Sequence, residues 1–254
     1  MHTLALLGWL MVAAGAPPFE GVIEMKMTGR SGSGQSLIQI GKPGVRTELR
    51  VDVPGRAGAM TMVMLVKTAE PDKVYAIHDE RKAYTEIDAK KARATAAARL
   101  GPHEYTARKV GTEKVGAWQC THVVVTHGPT ETDYWTSKDI LDFDTYMRSA
   151  QEPGADMGAL QKALKGAGAE GFVVKMVQRR GGAAAMTVEL VRVEKKALDS
   201  AMFEVPAGYT KQEGPLVPGG LPLEAMDPEK LRAMTPEQRR ELLERMKQGM
   251  PPPK

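Results

Sequence analysis

Apolar and polar residues alternate with a period of two along much of the chain. The cleanest case is Val45 to Val53. Here Val45, Thr47, Leu49, Val51 and Val53 fall on one side, and Arg46, Glu48, Arg50 and Asp52 on the other. Successive strand side chains take opposite faces, so the pattern predicts a strand with one buried face. A one-residue slip would bury four charges, which sets the register firmly. Glu20 to Thr28 alternates in the same way, with Phe19, Gly21, Ile23, Met25 and Met27 on one face and Glu20, Val22, Glu24 and Lys26 on the other. Between these two strands, Gly29 to Gly34 is expected to be a loop and Leu37 to Ile40 a short strand ending at a turn over Gly41–Gly44. Met60 to Val66 is apolar on both faces after a turn at Pro54-Gly55. That predicts a central strand covered on both sides.

Lys73–Ile77 and Lys82–Ile87 are predicted to form a hairpin around Asp79-Glu80. The stretch Arg108 to Ser137 carries three further strands: Arg108–Val115, Trp118–Thr126 and Glu131–Ser137, punctuated by Gly116-Ala117 and Gly128-Pro129. Phe172–Gln178 and Met186–Glu194 follow, joined at Gly181-Gly182, and Ser200 to Tyr209 closes the domain. Helical pattern interrupts the strands twice. Asp88 caps an Ala-rich run to Leu100 that Gly101-Pro102 stops, and Asp142 to Leu164 is helical in two pieces around Gly154, with Asp156 capping the second. From Gln212 the chain turns rich in Pro and Gly. Thr235-Pro236-Glu237-Gln238 then reads as a capping box opening a C-terminal helix with a thin apolar stripe at Leu242, Leu243 and Met246. The expected division is a leader at 1–16, a β domain at 17–211, a linker at 212–226 and a helical tail at 227–254.

Composition narrows the function classes. Leu4 to Ala14 is apolar, too short to span a bilayer and followed by small residues, as in a secretory leader cleaved after Ala14 or Ala16. An exported, periplasmic or envelope protein is therefore expected. The net charge is +4, spread in alternation along strands, so nucleic acid is excluded, while peripheral contact with anionic lipid is compatible. There are 16 methionines but only 4 phenylalanines in 254 residues. The apolar surface is thus soft and adaptable, with little bulk to fill a core.

The candidates for chemistry are few. Met60, Met62 and Met64 alternate on one strand face, as do Met25 and Met27. Thioethers there could hold Cu(I), but a core or deformable apolar lining is the favoured reading. Cys120 and His122 share a strand face, and a zinc site would lack its other half. Cys120 has neither base nor oxyanion site beside it for nucleophilic chemistry. G-x-S-x-G and G-x-x-x-x-G-K-[ST] are absent, Lys42 being followed by Pro43. No enzyme, no metal and no cofactor are expected.

Five segments in order, Phe19–Gly29, Lys73–Asp88, Lys109–Val123, Tyr134–Ile140 and Phe203–Tyr209, resemble an exported bacterial family of unknown function. That family is similar to the LolA-like group, which holds the lipoprotein carriers LolA and LolB and the sensor domain of RseB. The resemblance spans about Phe19 to Lys211. It implies a mainly β fold with inserted helices: a curved, unclosed antiparallel β-barrel lidded by helices, with an apolar cavity that accepts acyl chains. The carriers' functional arginine matches no residue here, so lipoprotein transfer is not implied. The expected function is non-enzymatic binding of a lipid, an acyl chain (that of a lipoprotein included) or another apolar ligand between sheet and helices. The alternative is an envelope protein–protein interaction or sensor module without a small ligand. A monomer is expected. The candidate lining is Ile23, Met25, Leu49, Val51, Met62 and Met64, joined by Ile38, Trp118 and Val174, whose side of the sheet the pattern leaves open.

Overall fold

The period-two pattern becomes one extended sheet. The computed structural model describes residues 19–30, 32–52, 58–100, 104–141, 157–212, 216–217, 221–222, 235 and 237–238. Among these, the strands are β1 (Gly21–Gly29), β2 (Gly32–Gly41), β3 (Gly44–Asp52), β4 (Met60–Lys67), β5 (Lys73–His78), β6 (Ala83–Asp88), β7 (Thr106–Val115), β8 (Trp118–His127), β9 (Thr130–Ser137), β10 (Phe172–Arg180), β11 (Ala183–Lys195) and β12 (Thr210–Gln212). They form a 12-stranded sheet in the order β12-β6-β5-β4-β3-β2-β1-β11-β10-β9-β8-β7. Neighbours are antiparallel except β12, which runs parallel to β6. The two end strands do not pair with each other, so the sheet is unclosed, as the resemblance implies. Register shifts interrupt the ladders at Glu24/Met25, Lys109/Gly111, Val173/Lys175 and Gln178/Arg179. Such bulges bend strands and raise their twist, which is how so wide a sheet coils.

Helix α1 (Ala89–Leu100) follows β6, and α2 (Met157–Gly166) precedes β10. Asp88 starts α1 as expected: its carboxylate accepts a hydrogen bond from the Lys91 amide at 2.8 Å, satisfying an amide that the helix leaves unpaired. Leu160 and Leu164, one turn apart, bring α2 onto Val123 and Val125 of β8, together with Tyr105, Ala107, Tyr134, Ala167 and Ala169. This defines the α2 face of the sheet.

The opposite face of β4 and β5 is covered by the chain after β11. Leu198, Met202, Phe203, Val205 and Tyr209 pack on Val63, Leu65, Tyr75, Ile77 and Tyr84. This strap contains a single 3₁₀ turn at Ser200–Phe203, capped by Asp199 accepting from the Ala201 amide at 2.9 Å. β4 is thus covered on its strap face, whereas Met60, Met62 and Met64 on its other face are only half-buried, so the cover expected on both sides is complete on one.

Two expectations are corrected. Gly29–Gly34 is not a loop: β2 begins at Gly32, and Gly29 pairs with Gly32. Glycine at 34 serves the strand itself, because a Cβ there would stand 2.7 Å from the Arg50 carbonyl oxygen and 3.0 Å from the Met27 methyl. Gln212 belongs to the sheet, paired with Thr85, so it is not a linker residue. Beyond it, Leu216–Val217 (β13) and Leu221–Pro222 (β14) pair as a separate two-stranded unit. The capping box forms: the Thr235 amide donates to Gln238 Oε1 at 2.8 Å, and the Gln238 amide to Thr235 Oγ1 at 3.2 Å. The leader, the Pro54-Gly55 turn, the Gly101-Pro102 stop, the first helical piece from Asp142 with Asp156, and most of the linker and tail lie outside the described residues.

Candidate functional site

Directly opposed residues in a ladder share a face, so the register maps each face of the sheet row by row. One row reads Ile23, Ile38, Thr47, Met64, Ala76 and Thr85 from β1 to β6. The next reads Met25, Ser36, Leu49 and Met62, and a third Met27, Gly34, Val51 and Met60. In the other direction Met27 opposes Val188, then Met176, Tyr134 and Val123. Since Val123 and Tyr134 pack with α2, all these rows lie on the α2 face. Met186 opposes Gly29, two residues after Met27, and joins the same face. Seven methionines stand on described strands, and all seven lie here: Met25, Met27, Met60, Met62, Met64, Met176 and Met186.

The nine candidate residues divide by environment. Ile23, Met25 and Val174 are buried in a filled core with Phe19, Ile40, Cys120, Ile140, Leu141 and Phe172, and Ile38 and Trp118 pack against it. Leu49, Val51, Met62 and Met64 are half-buried and lie outside that core. The register settles the side of two of the three residues left open. Ile38 opposes Ile23 on the α2 face, whereas Val174 is the extra residue at the β9–β10 register shift, where alternation is interrupted. Trp118 alternates with Cys120 and His122, opposite in parity to Val123 and Val125. Over the middle of the half-buried strip β2 contributes only the small residues Gly34 and Ser36, between methionines of β1 and Leu49 and Val51 of β3. The Met27 methyl already sits over Gly34. An unbranched thioether can swing out of such a position at little cost.

Among the described residues, three buried side-chain atoms have no hydrogen-bonding partner: His78 Nε2, Thr85 Oγ1 and Thr136 Oγ1. Thr85 opposes Ala76, and Thr136 alternates with Tyr134, so these two also lie on the α2 face. His78 alternates with Ala76 and shares it. Burial holds the His78 imidazole below the ordinary histidine range, with Arg81 adding to the effect and Asp79 opposing it. The alternation reading singled out none of these three, because an unpartnered polar atom is visible only once its neighbours are known.

The other face carries a polar network. His122 Nε2 lies 2.9 Å from Asp133 Oδ1, and Nδ1 lies 3.2 Å from Glu113 Oε1. Arg179 Nε donates to Asp133 Oδ2 at 2.9 Å. The Trp135 indole donates to Glu113 at 2.6 Å and stacks on His122 with ring centroids 4.2 Å apart. Each of these side chains has a hydrogen-bonding partner, which describes a satisfied polar network; no nucleophile stands beside it. Cys120 is fully buried, and desolvation, aided by the Asp139 and Glu113 charges, raises its thiol pKa despite an opposing backbone hydrogen bond at Val115. Such a thiol is inert. Among the described residues, no three His, Cys, Asp or Glu side chains are grouped to hold a metal, and no helix is long and apolar enough to cross a membrane. A shallow, open depression of about 260 Å³ on the rim of β1–β3 is polar, lined by Lys26, Ser33, Gly34, Gln35, Arg50 and Asp52.

Several solved structures resemble this fold at low sequence identity. PNGF-II is 13% identical with a TM-score of 0.38, the match covering 76% of this chain and 31% of that one. MucB, solved in complex with MucA(peri), is 10% identical with a TM-score of 0.39, covering 74% and 55%. The Mycobacterium tuberculosis lipoprotein LppX is 11% identical with a TM-score of 0.36, covering 71% and 89%. This chain thus spans about a third of PNGF-II and about half of MucB. No curated protein matches the sequence. Residues 19–209 match the family model described as Domain of unknown function (DUF4412), and the chain belongs to that family.

Proposed function

We propose that this chain is an exported, non-enzymatic binding protein that holds a lipid or acyl chain against the methionine-bearing α2 face. The observation that carries the reading is the placement of all seven described strand methionines on one face, with Met62, Met64, Leu49 and Val51 left half-buried. Apolar side chains held half out of water gain by covering one another with a further apolar body, at about 25 cal/mol per Å² removed from water. Flexible thioethers fit chains of different length and saturation better than branched side chains do. The leader-like Leu4–Ala14 supports an envelope location.

The test uses a fluorescent fatty-acid probe and the Met64→Trp variant. Probe binding by the parent protein, weakened in the variant with stability unchanged, is the expected result. Absence of probe binding in the parent, with a loss of about 1–3 kcal/mol in the variant from overpacking, would mean the strip is already full. Mass spectrometry of lipids co-purifying from the native envelope would identify the occupant.

A second reading has its own observation. β7 is an end strand of the sheet, ten residues long and largely exposed, with Val110 50% exposed at its bulge. A free edge can pair with a strand of another protein, which would serve the interaction or sensor role.

A further inference from the structure

We propose that the ligand of the methionine face carries an uncharged polar group, an ester or a hydroxyl, which hydrogen-bonds His78 and Thr85 beside Met62 and Met64. This rests on the apolar-ligand reading above and adds where the ligand's polar end lies and what it is.

Thr85 is 2% exposed, and neither its hydroxyl nor His78 Nε2 has a partner. A buried polar group without a partner is uncommon and unfavourable, so two of them side by side are a feature to be explained. They are side by side: His78 opposes Ala83, and Thr85 stands two residues after Ala83 on β6. That is the diagonal position on one face, about 7–8 Å apart, a span that an ester with its neighbouring hydroxyl bridges. The same two residues are tied to the methionine strip. Thr85 opposes Ala76, which opposes Met64. Met62 and His78 stand one step beyond the Val63–Ile77 pair that ends the β4–β5 ladder. The residues between them, Ala76 and Ala83, are small and already buried, so a ligand's polar group reaches the pair by displacing what covers them.

The chemistry selects the head group. A threonine hydroxyl both donates and accepts, and a neutral imidazole donates from one nitrogen and accepts at the other. Burial and the Arg81 charge disfavour the protonated form of His78, so the pair offers no fixed positive charge. A free carboxylate would be buried without a counter-ion, whereas an ester carbonyl or a hydroxyl would be satisfied. A long-chain acyl ester or alcohol fits the site, and a free fatty acid fits it worse.

The experiment measures binding of monoolein, oleate and diphenylhexatriene to the full chain at neutral pH. Diphenylhexatriene has no polar group and reports the methionine face alone. The parent is expected to bind monoolein more tightly than oleate. Thr85→Val, of the same shape, should weaken monoolein by about tenfold, the worth of one net hydrogen bond, leave diphenylhexatriene unchanged and raise the melting temperature. Thr85→Ser, which keeps the hydroxyl, should restore monoolein binding. His78→Phe should act as Thr85→Val does on monoolein; if it does not fold, the two Thr85 variants decide. Unchanged monoolein affinity in Thr85→Val together with a lowered melting temperature would show that an internal water satisfies the hydroxyl, and would overturn the proposal while leaving the methionine face standing. A parent protein that binds none of the three probes would overturn the apolar-ligand reading, and this proposal with it.

Discussion

At the scale of single residues, burial decides chemistry. Cys120 is the chain's one cysteine and is fully enclosed, its Sγ 3.6 Å from the Trp118 carbonyl oxygen. It should resist a thiol reagent such as DTNB under native conditions and react in full once the protein is unfolded in guanidinium. Rapid labelling of native protein would show that the core around Phe172 and Ile140 opens readily. His78 makes a prediction with a definite sign. Its folded pKa lies below the unfolded value of 6.5, chiefly through burial. As pH falls through that region the unfolded chain takes up the proton first, so the unfolded state gains. The contribution of His78 to stability is therefore present above about pH 6.5 and lost as pH falls below it. Urea titrations at pH 7.5 and 5.5 should show a smaller acid destabilisation in His78→Gln than in the parent. An equal loss in both would place the pH sensitivity elsewhere.

At the scale of elements, the strap after β11 is the piece whose removal is most informative. Phe203 is fully buried against Val63, Leu65, Tyr75 and Ile77. Its ring also lies over Gly41, where a Cβ would come within 2.7 Å of ring carbons. Phe203→Ala should cost about 3–5 kcal/mol in chemical denaturation, the range for deleting a buried aromatic. Gly41→Ala should also destabilise, because the ring must shift. Both changes act on the face opposite the methionines, so probe binding by the folded fraction should persist. Its loss in Phe203→Ala would couple the two faces through β4. By contrast, the Lys67–Glu204 ion pair that also joins strap to sheet has an exposed carboxylate and should contribute little.

For the whole molecule, the sheet ends where β12 pairs with β6. A chain stopping after Gln212 should retain the melting transition of the full protein, since the described residues that follow include no strand of the 12-stranded sheet. A chain stopping after Lys196 loses the strap and β12 together, and should lose cooperative unfolding as Val63, Leu65 and Ile77 meet water. If instead the Gln212 truncation fails to fold, the tail belongs to the core. Protein recovered from its native host should lack Leu4–Ala14 by N-terminal sequencing, and an intact Met1 there would remove the envelope assignment. The topology also has a kinetic consequence. β1 pairs with β11, more than 150 residues later in the chain, with Gly21 against Lys195. Pairing over such separations makes folding slow.

Much of this molecule is determined locally, and the rest is not. Alternation along Glu20–Thr28 and Val45–Val53 specified which side chains share a face, because the period of a strand is two wherever the strand lies. The register puts Ile23, Met25, Leu49, Val51, Met62 and Met64 on one face of the sheet. Asp88 announced its helix, and the Thr235–Gln238 box its reciprocal hydrogen bonds, because a cap is a contact between residues three apart. The glycines of β2 misled the reading, since Gly34 is demanded by Arg50 and Met27, one on the neighbouring strand to each side. Nothing local could say that β1 lies beside β11, that Gln212 pairs with Thr85, or which side of the sheet the Trp118–Cys120 face of β8 takes. Nor could it separate Ile23, Met25 and Val174, enclosed by Phe19 and Phe172, from Met62 and Met64, which are not. Burial and hydrogen-bond satisfaction depend on what arrives from distant parts of the chain. For that reason the face of the candidate site was legible in the sequence, while its filled part, its half-open strip and the unpartnered His78 and Thr85 were decided only by tertiary structure.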